Sequence, residues 1–144
     1  MSIDRILVAV DDSSGSRAAM AWAVEMACAA GAVVTAVHAF EPLAHLDDLH
    51  RERSLTAIRN EVHVTLEREW CSALREADVP FDVRVIDGDP ADVILDLARE
   101  LDVDLIVLGA RRQGLVRALA LGSTSQRVIH EAKRPVTILH PPDE

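Results

Sequence analysis

The chain has 144 residues, 49% of them hydrophobic and 27% charged, a balance that suits one globular domain over 1–144 without disulfide or metal staples. A formal charge of −9, with 3% aromatic residues and no tyrosine, argues against a coat for nucleic acid or anionic membrane and removes the stacking platforms of single-strand binders. No apolar run approaches the ~18 residues of a membrane span, and Met1-Ser2-Ile3-Asp4-Arg5 leads into a strand without signal-peptide regions, so a cytoplasmic protein is expected.

Ile6-Leu7-Val8-Ala9-Val10 has no polar face, as expected of a strand covered on both sides in a parallel sheet. Asp11-Asp12-Ser13-Ser14-Gly15-Ser16 then offers turn residues and several candidate N-caps, Asp11, Asp12 and Ser13 among them. Ala19, Trp22, Ala23, Met26, Ala27 and Ala30 recur at spacings of three and four and predict a helix that Gly31 stops. Val33 to Phe40 reads as a second strand, and His38, alone in it, as a satisfied core residue. Cys28 and Cys71 fall in amphipathic helical patterns with no second cysteine or histidine at metal-ligand spacing, which predicts free thiols, buried or half-buried.

Glu41 to Asp48 reads as a connection with little structure of its own. Leu55, Ile58, Val62, Leu66, Trp70, Leu74 and Ala77 then mark one long amphipathic helix. His45, His50 and His63 are spaced too irregularly for a metal site and read as surface or loop residues. Phe81-Asp82-Val83-Arg84-Val85 alternates, predicting a third strand nearer a sheet edge. Gly88-Asp89-Pro90 supplies a turn, an N-cap and a proline at N1 for a helix whose buried stripe is Ile94, Leu97, Ala98 and Leu101.

Leu105-Ile106-Val107-Leu108 is a second run without a polar face, and Gly109 after it allows unusual exit dihedrals. Ser123 and Gln126 have the spacing of a capping box, predicting a helix from Ser123. Backbone N–H groups at a helix start lack intrahelical partners and sit at the positive end of the macrodipole, so Gly122-Ser123-Thr124 is a candidate anion seat. Residues 109–134 carry six basic side chains (Arg111, Arg112, Arg117, Arg127, Lys133, Arg134) against one acid, Glu131; this net +5 leaves −14 for the remainder and concentrates positive charge near that seat. A glycine after a strand and a serine at a helix start also suit any parallel-sheet protein, and surface arginines also serve to solvate a loop. Val128, Ile129 and Ala132 should face inward on the last helix, and Val136-Thr137-Ile138-Leu139 makes a fifth strand after Pro135.

Strands and helices alternate throughout, and right-handed crossovers fold such an order into an open five-stranded parallel sheet, Rossmann-like, with helices on both faces. Ligands of such α/β sheets bind beyond the carboxyl ends of the strands, where the winding reverses. Asp11 and Gly109 both lie at carboxyl ends and can meet across one crevice. Two nucleotide signatures are excluded: Leu115-Val116 stands where a Walker A loop needs Lys and Ser/Thr, and the first turn lacks G-x-G-x-x-G.

What these segments together resemble is the universal stress protein family. The carriers are Ile6 to Asp11, Gly88-Asp89-Pro90-Ala91, Asp104 to Gly109, Gly122-Ser123 and Arg134-Pro135-Val136, in order over nearly the whole chain. The resemblance implies an adenine nucleotide alpha hydrolase-like fold and, in ATP-binding members, the pattern G-x-x-G-(nine residues)-G-S/T. Gly109, Gly122 and Ser123 match in register, while Arg112 stands in the second glycine's place and Gly114 is displaced by two positions. By this resemblance Asp11 accepts from the ribose hydroxyls or holds the adenosine side of the pocket, Ala9, Val10 and Ala39 line the adenine pocket, and Ser123, Thr124 and Ser125 donate to phosphate, with Arg111 and Arg112 beside them. It implies ATP, with Mg²⁺, as ligand of a regulatory module that is not an enzyme. The departure at Arg112 keeps a second reading open, a dimeric interaction module without nucleotide. The sequence offers no poised base, P-loop lysine or magnesium carboxylate for catalysis.

A last strand at a sheet edge, β-branched and without lysine or internal proline, calls for a partner. Val136, Thr137, Ile138, Leu139 and His140 are therefore expected to pair with a second copy, as family members do, and an unknown protein partner would read the module.

Overall fold

In the computed structural model the chain is described over residues 1–45, 53–110 and 121–141. Five parallel strands, β1 Arg5–Ala9, β2 Val33–Phe40, β3 Phe81–Asp87, β4 Leu105–Gly109 and β5 Val136–Leu139, form one sheet in the order β3-β2-β1-β4-β5. The winding reverses at β1, whose two neighbours are β2 and β4. The carboxyl ends of β1 and β4 therefore lie side by side, as the alternation of elements predicts.

The helices are α1 Ser14–Ala30, α2 Leu55–Thr65, α3 Ser72–Glu76, α4 Pro90–Glu100 and α5 Ser123–Glu131. On one face Ile6, Val8, Leu105 and Val107 pack with Ala19 and Ala23 of α1 and with Leu66, Cys71 and Leu74. On the other, Leu7, Ile106 and Leu108 pack with Ile94, Leu97 and Ala98 of α4 and Val128 of α5. Successive residues of β1 and β4 thus bury themselves in opposite layers, which is why neither strand has a polar face. The alternation in β3 matches its place at one edge, where its residues are half-buried or exposed. Among the described residues no helix is long and apolar enough to cross a membrane.

Four expectations need correction. The long helix from Leu55 is interrupted: Leu66–Trp70 widens into a π-helical turn and the chain restarts as α3 after Cys71. Periodicity alone misses one extra residue in a turn because the apolar positions stay on the same face. Cys28 is exposed, whereas Cys71 is buried, and burial pushes its thiol pKa up to about 12. Ile129 faces solvent at 44% exposure and leaves Val128 as the buried residue of that turn. Gly109 does not use a left-handed conformation; among the described residues the glycines at positive φ are Gly31, which stops α1, and Gly88.

Candidate functional site

The turn leaving β1 closes on itself through three bonds between side chain and backbone. Ser13 N–H donates to Asp11 Oδ1 (2.9 Å), Ser16 N–H to Ser13 Oγ (3.1 Å), and Asp11 N–H to Ser16 Oγ (3.0 Å). Ser13 is the N-cap of α1, so Asp11 is relieved of that role and its half-buried carboxylate borders the cleft. Ser16, 4% exposed, is held in place by the same ring of bonds.

Gly109 brings β4 to the same place by close approach rather than by unusual dihedrals. A Cβ on Gly109 would lie 2.2 Å from the carbonyl carbon of Gly15, and a Cβ on Gly15 would lie 2.2 Å from the Ala110 oxygen. Only two glycines let the start of α1 rest on the exit of β4. Gly15 gave a turn signal in the sequence, but its contact is with a residue almost a hundred positions away, beyond the reach of local pattern.

Opposite Asp11 stands the start of α5. Its N-cap is Gly122, in extended conformation and without a side-chain cap, and Ser123 is the first helical residue. The capping box does not form: Gln126 Nε2 donates instead to the Leu121 carbonyl (2.9 Å), and Gln126 N–H makes the first helical bond, to Gly122 O. The N–H groups of Ser123, Thr124 and Ser125 consequently have no acceptor within the helix. A Cβ on Gly122 would meet nothing within 4 Å, so the backbone there opens onto free space.

Between these elements lies a cavity of about 280 Å³, near the lower end of the ~300–1,000 Å³ common for small-molecule pockets. Ala9, Val10, Asp11, Ala39, Gly109, Gly122, Ser123, Thr124 and Ser125 all line it. Arg111 and Arg112, with Arg117 and Gly114, lie outside the described residues. Sequence reading missed Ser13, Ser16, Val37, Glu41, Ala44, Pro90, Ile94 and Leu108 as lining residues. It also set aside both histidines that line the cleft. His38 is satisfied as expected, Nδ1 donating to the Val10 carbonyl at 2.7 Å, with its ring 5.5 Å from that of Trp70. His45, read as a surface or loop residue, lies in a connecting 3₁₀ turn, Pro42–His45, and is half-buried where it lines the cleft.

Contrary to expectation, Arg127, Lys133 and Arg134 do not line the cleft. Arg127 is engaged by Glu131 (2.6 Å), Asp89 (3.2 Å) and Asp92, and its hydrogen bonds to Asp92 and Glu131 raise its already high pKa. Arg134 lies at the amino end of β4, donating to Val103 O (2.8 Å) and Asp102 (3.0 Å), and Lys133 is exposed away from the cavity. Among the described residues, then, no lysine or arginine lines the cleft, which carries the acids Asp11 and Glu41. Attraction for an anion there comes from the bare start of α5 and the serine and threonine hydroxyls beside it. No cluster of three or more His, Cys, Asp or Glu among the described residues could hold a metal ion.

Comparison with known proteins agrees with this fold. The model of the universal stress protein family matches residues 2–140. A universal stress protein of Thermus aquaticus, from the QAH/OAS sulfhydrylase 3′ region, is 37% identical over 135 residues, covering 93% of this chain and 96% of its own. The Archaeoglobus fulgidus universal stress protein solved in complex with dAMP superposes with a TM-score of 0.69 at 26% identity, over 96% of this chain and 99% of that one. A universal stress protein in complex with cAMP shares the fold at a TM-score of 0.75 and 22% identity, over 99% and 100% of the two chains.

Proposed function

The chain belongs to the universal stress protein family, and we propose that it is a single-domain cytoplasmic regulatory module that binds ATP or another adenine nucleotide between the carboxyl ends of β1 and β4. One observation carries the reading: the uncapped start of α5, with the N–H groups of Ser123, Thr124 and Ser125, faces the same cavity as the Asp11 carboxylate. That pair suits the two polar ends of a nucleoside phosphate. In this reading Asp11 accepts from the ribose hydroxyls, and Ala9, Val10 and Ala39 pack on the base. Ser123, Thr124 and Ser125 donate to phosphate, Gly109 and Gly122 keep backbone close to it, and Arg111 and Arg112 add positive charge. The dAMP complex of a relative at 26% identity supports an adenine ligand.

Mg²⁺ would enter on the nucleotide's phosphates, since the described residues hold no cage for it. In this reading the role is binding rather than catalysis, with Asp11 Oδ1 accepting from the Ser13 N–H in the turn into α1. We further propose a homodimer through β5, with an unidentified protein partner reading the occupied state.

Denaturing the purified protein and assaying the released small molecules for adenine nucleotide, followed by calorimetry with ATP and Mg²⁺ and with AMP, tests the reading. An adenine nucleotide released, or a saturable heat, is expected. Silence in both assays would replace the reading with the dimeric interaction module, which Arg112 in the second glycine's place favours.

A further inference from the structure

α5 has little core of its own: of its nine residues only Ser125 and Val128 are buried. Its uncapped start must nevertheless stand at a fixed place in the cleft, because a charge-assisted N–H bond to an anion is strong only near about 2.7–2.9 Å. Arg127, one turn beyond Ser123, ties the helix down. Its guanidinium reaches three carboxylates at once, Nε donating to Glu131 of α5 itself (2.6 Å), Nη1 to Asp89 (3.2 Å) and Nη2 to Asp92. Asp89 is the N-cap of α4 and also accepts from Asp92 N–H (3.3 Å), and Pro90 and Ile94 of the same helix line the cleft. One planar fork thus joins the first turn of α4 to α5, and the cleft lies where both helices begin.

The cluster acts on a bound anion in two ways of opposite sign. As charge, three acids against one arginine repel a phosphate, so removing an acid should tighten binding. As a brace, the acids hold the arginine that holds the helix, so removing one should loosen the anion seat. The side chain of Arg127 is 41% exposed, and those of Asp89, Asp92 and Glu131 are 57%, 55% and 51% exposed, so water and salt weaken the field and each pair adds little to overall stability. Orientation survives that screening, since a guanidinium bonded through all three nitrogens keeps one pose, as a lysine ammonium in its place would not.

Resting on the nucleotide reading above, we propose that Arg127 is a positioning residue for the phosphate: braced by Asp89, Asp92 and Glu131, it sets the bare start of α5 against the α4 wall without lining the cleft itself. Acids that would repel the ligand by charge then favour it by geometry.

AMP and adenosine, titrated by NMR into wild type, Asp92→Asn and Arg127→Lys with melting temperatures alongside, make the test. Asp92→Asn should weaken AMP by about tenfold, near the worth of one charge-assisted hydrogen bond, although it removes a negative charge. Arg127→Lys keeps the charge, loses the fork, and should weaken AMP about as much. Adenosine, which has no phosphate, should bind all three proteins alike, and melting temperatures should stay within about 4 °C of wild type, as for exposed ion pairs. AMP bound by Asp92→Asn as tightly as by wild type or more so, undiminished affinity in Arg127→Lys, or equal losses for adenosine overturns the inference while the nucleotide reading stands. A larger fall in melting temperature in both variants makes the cluster a prop of the whole fold and overturns it too. A wild-type protein that binds no AMP overturns both.

Discussion

The glycine pair that joins α1 to β4 allows a prediction in which two principles give opposite signs. Gly15 lies in the first turn of α1, where helix propensity alone makes alanine better by roughly 0.5–1 kcal/mol. Packing says otherwise. The added methyl would stand 2.2 Å from the Ala110 oxygen, against the 3.4–4 Å of an ordinary contact, and a methyl on Gly109 would stand 2.2, 2.3 and 2.6 Å from three backbone atoms of Gly15 and Ser16. None of these is the tip of a flexible side chain. The start of α1 is fixed by the Asp11, Ser13 and Ser16 ring of bonds, and β4 by strands on both sides, so neither backbone yields by more than an ångström without loss. The upper part of the overpacking range therefore applies, about 3 kcal/mol for Gly109→Ala and about 2 kcal/mol for Gly15→Ala after its propensity gain. At this chain length about 3 kcal/mol lowers the melting temperature by roughly 10 °C. The double variant should cost less than the sum by about 1 kcal/mol, because either methyl opens the same gap. Urea denaturation followed by circular dichroism measures all four corners of the cycle. A Gly109→Ala variant within about 0.5 kcal/mol of wild type, the size of an ordinary surface change, would refute the close-approach argument.

Three further outcomes follow from other parts of the molecule. Gly122→Val places carbons in open space at an ordinary φ of −67°, so stability should stay near wild type while adenine nucleotide affinity falls by tenfold or more, about 1.4 kcal/mol; calorimetry on the folded variant checks both. In β5 the carbonyls of Pro135 and Leu139 accept from β4, so Ile138, in the alternate position, presents its N–H to the free edge, and Ile138→Pro should turn a dimer to monomer in light scattering while a β4 ladder remains; a wild type already monomeric at micromolar concentration contradicts the interface. Asp104 accepts from the N–H groups of Asp4 and Arg5 (2.8 and 3.0 Å), bonds that lower its pKa; a depressed carboxylate stabilises above its ordinary value of 3.8 and loses that contribution as the pH falls through the folded-state value, so Asp104→Asn should weaken the protein at pH 7 and converge with wild type in acid unfolding.

How far the chain spoke for itself depends on the range of the interaction concerned. The unbroken apolar runs at Ile6 and Leu105 required strands buried on both faces, the turn at Gly88-Asp89-Pro90 announced α4, and the alternation of elements placed Asp11 and Gly109 at neighbouring carboxyl ends, because each of these follows from periodicity or from chirality. What tertiary structure decided is which of several equivalent local options was taken and which distant groups meet. Ser13 rather than Asp11 caps α1, which leaves Asp11 to the cleft, although both residues carry an oxygen at usable spacing. Ser123 lost its cap role to Gly122, which leaves the start of α5 bare. Arg127 and Arg134 counted toward a positive segment in one dimension, but folding delivered them to Asp92 and Asp102. Gly15 meets Gly109, and Arg59 meets the Phe40 ring, only through tertiary packing. Capping and charge are satisfied by whichever partner the fold brings within hydrogen-bonding distance, and that distance is set by packing among residues far apart in sequence.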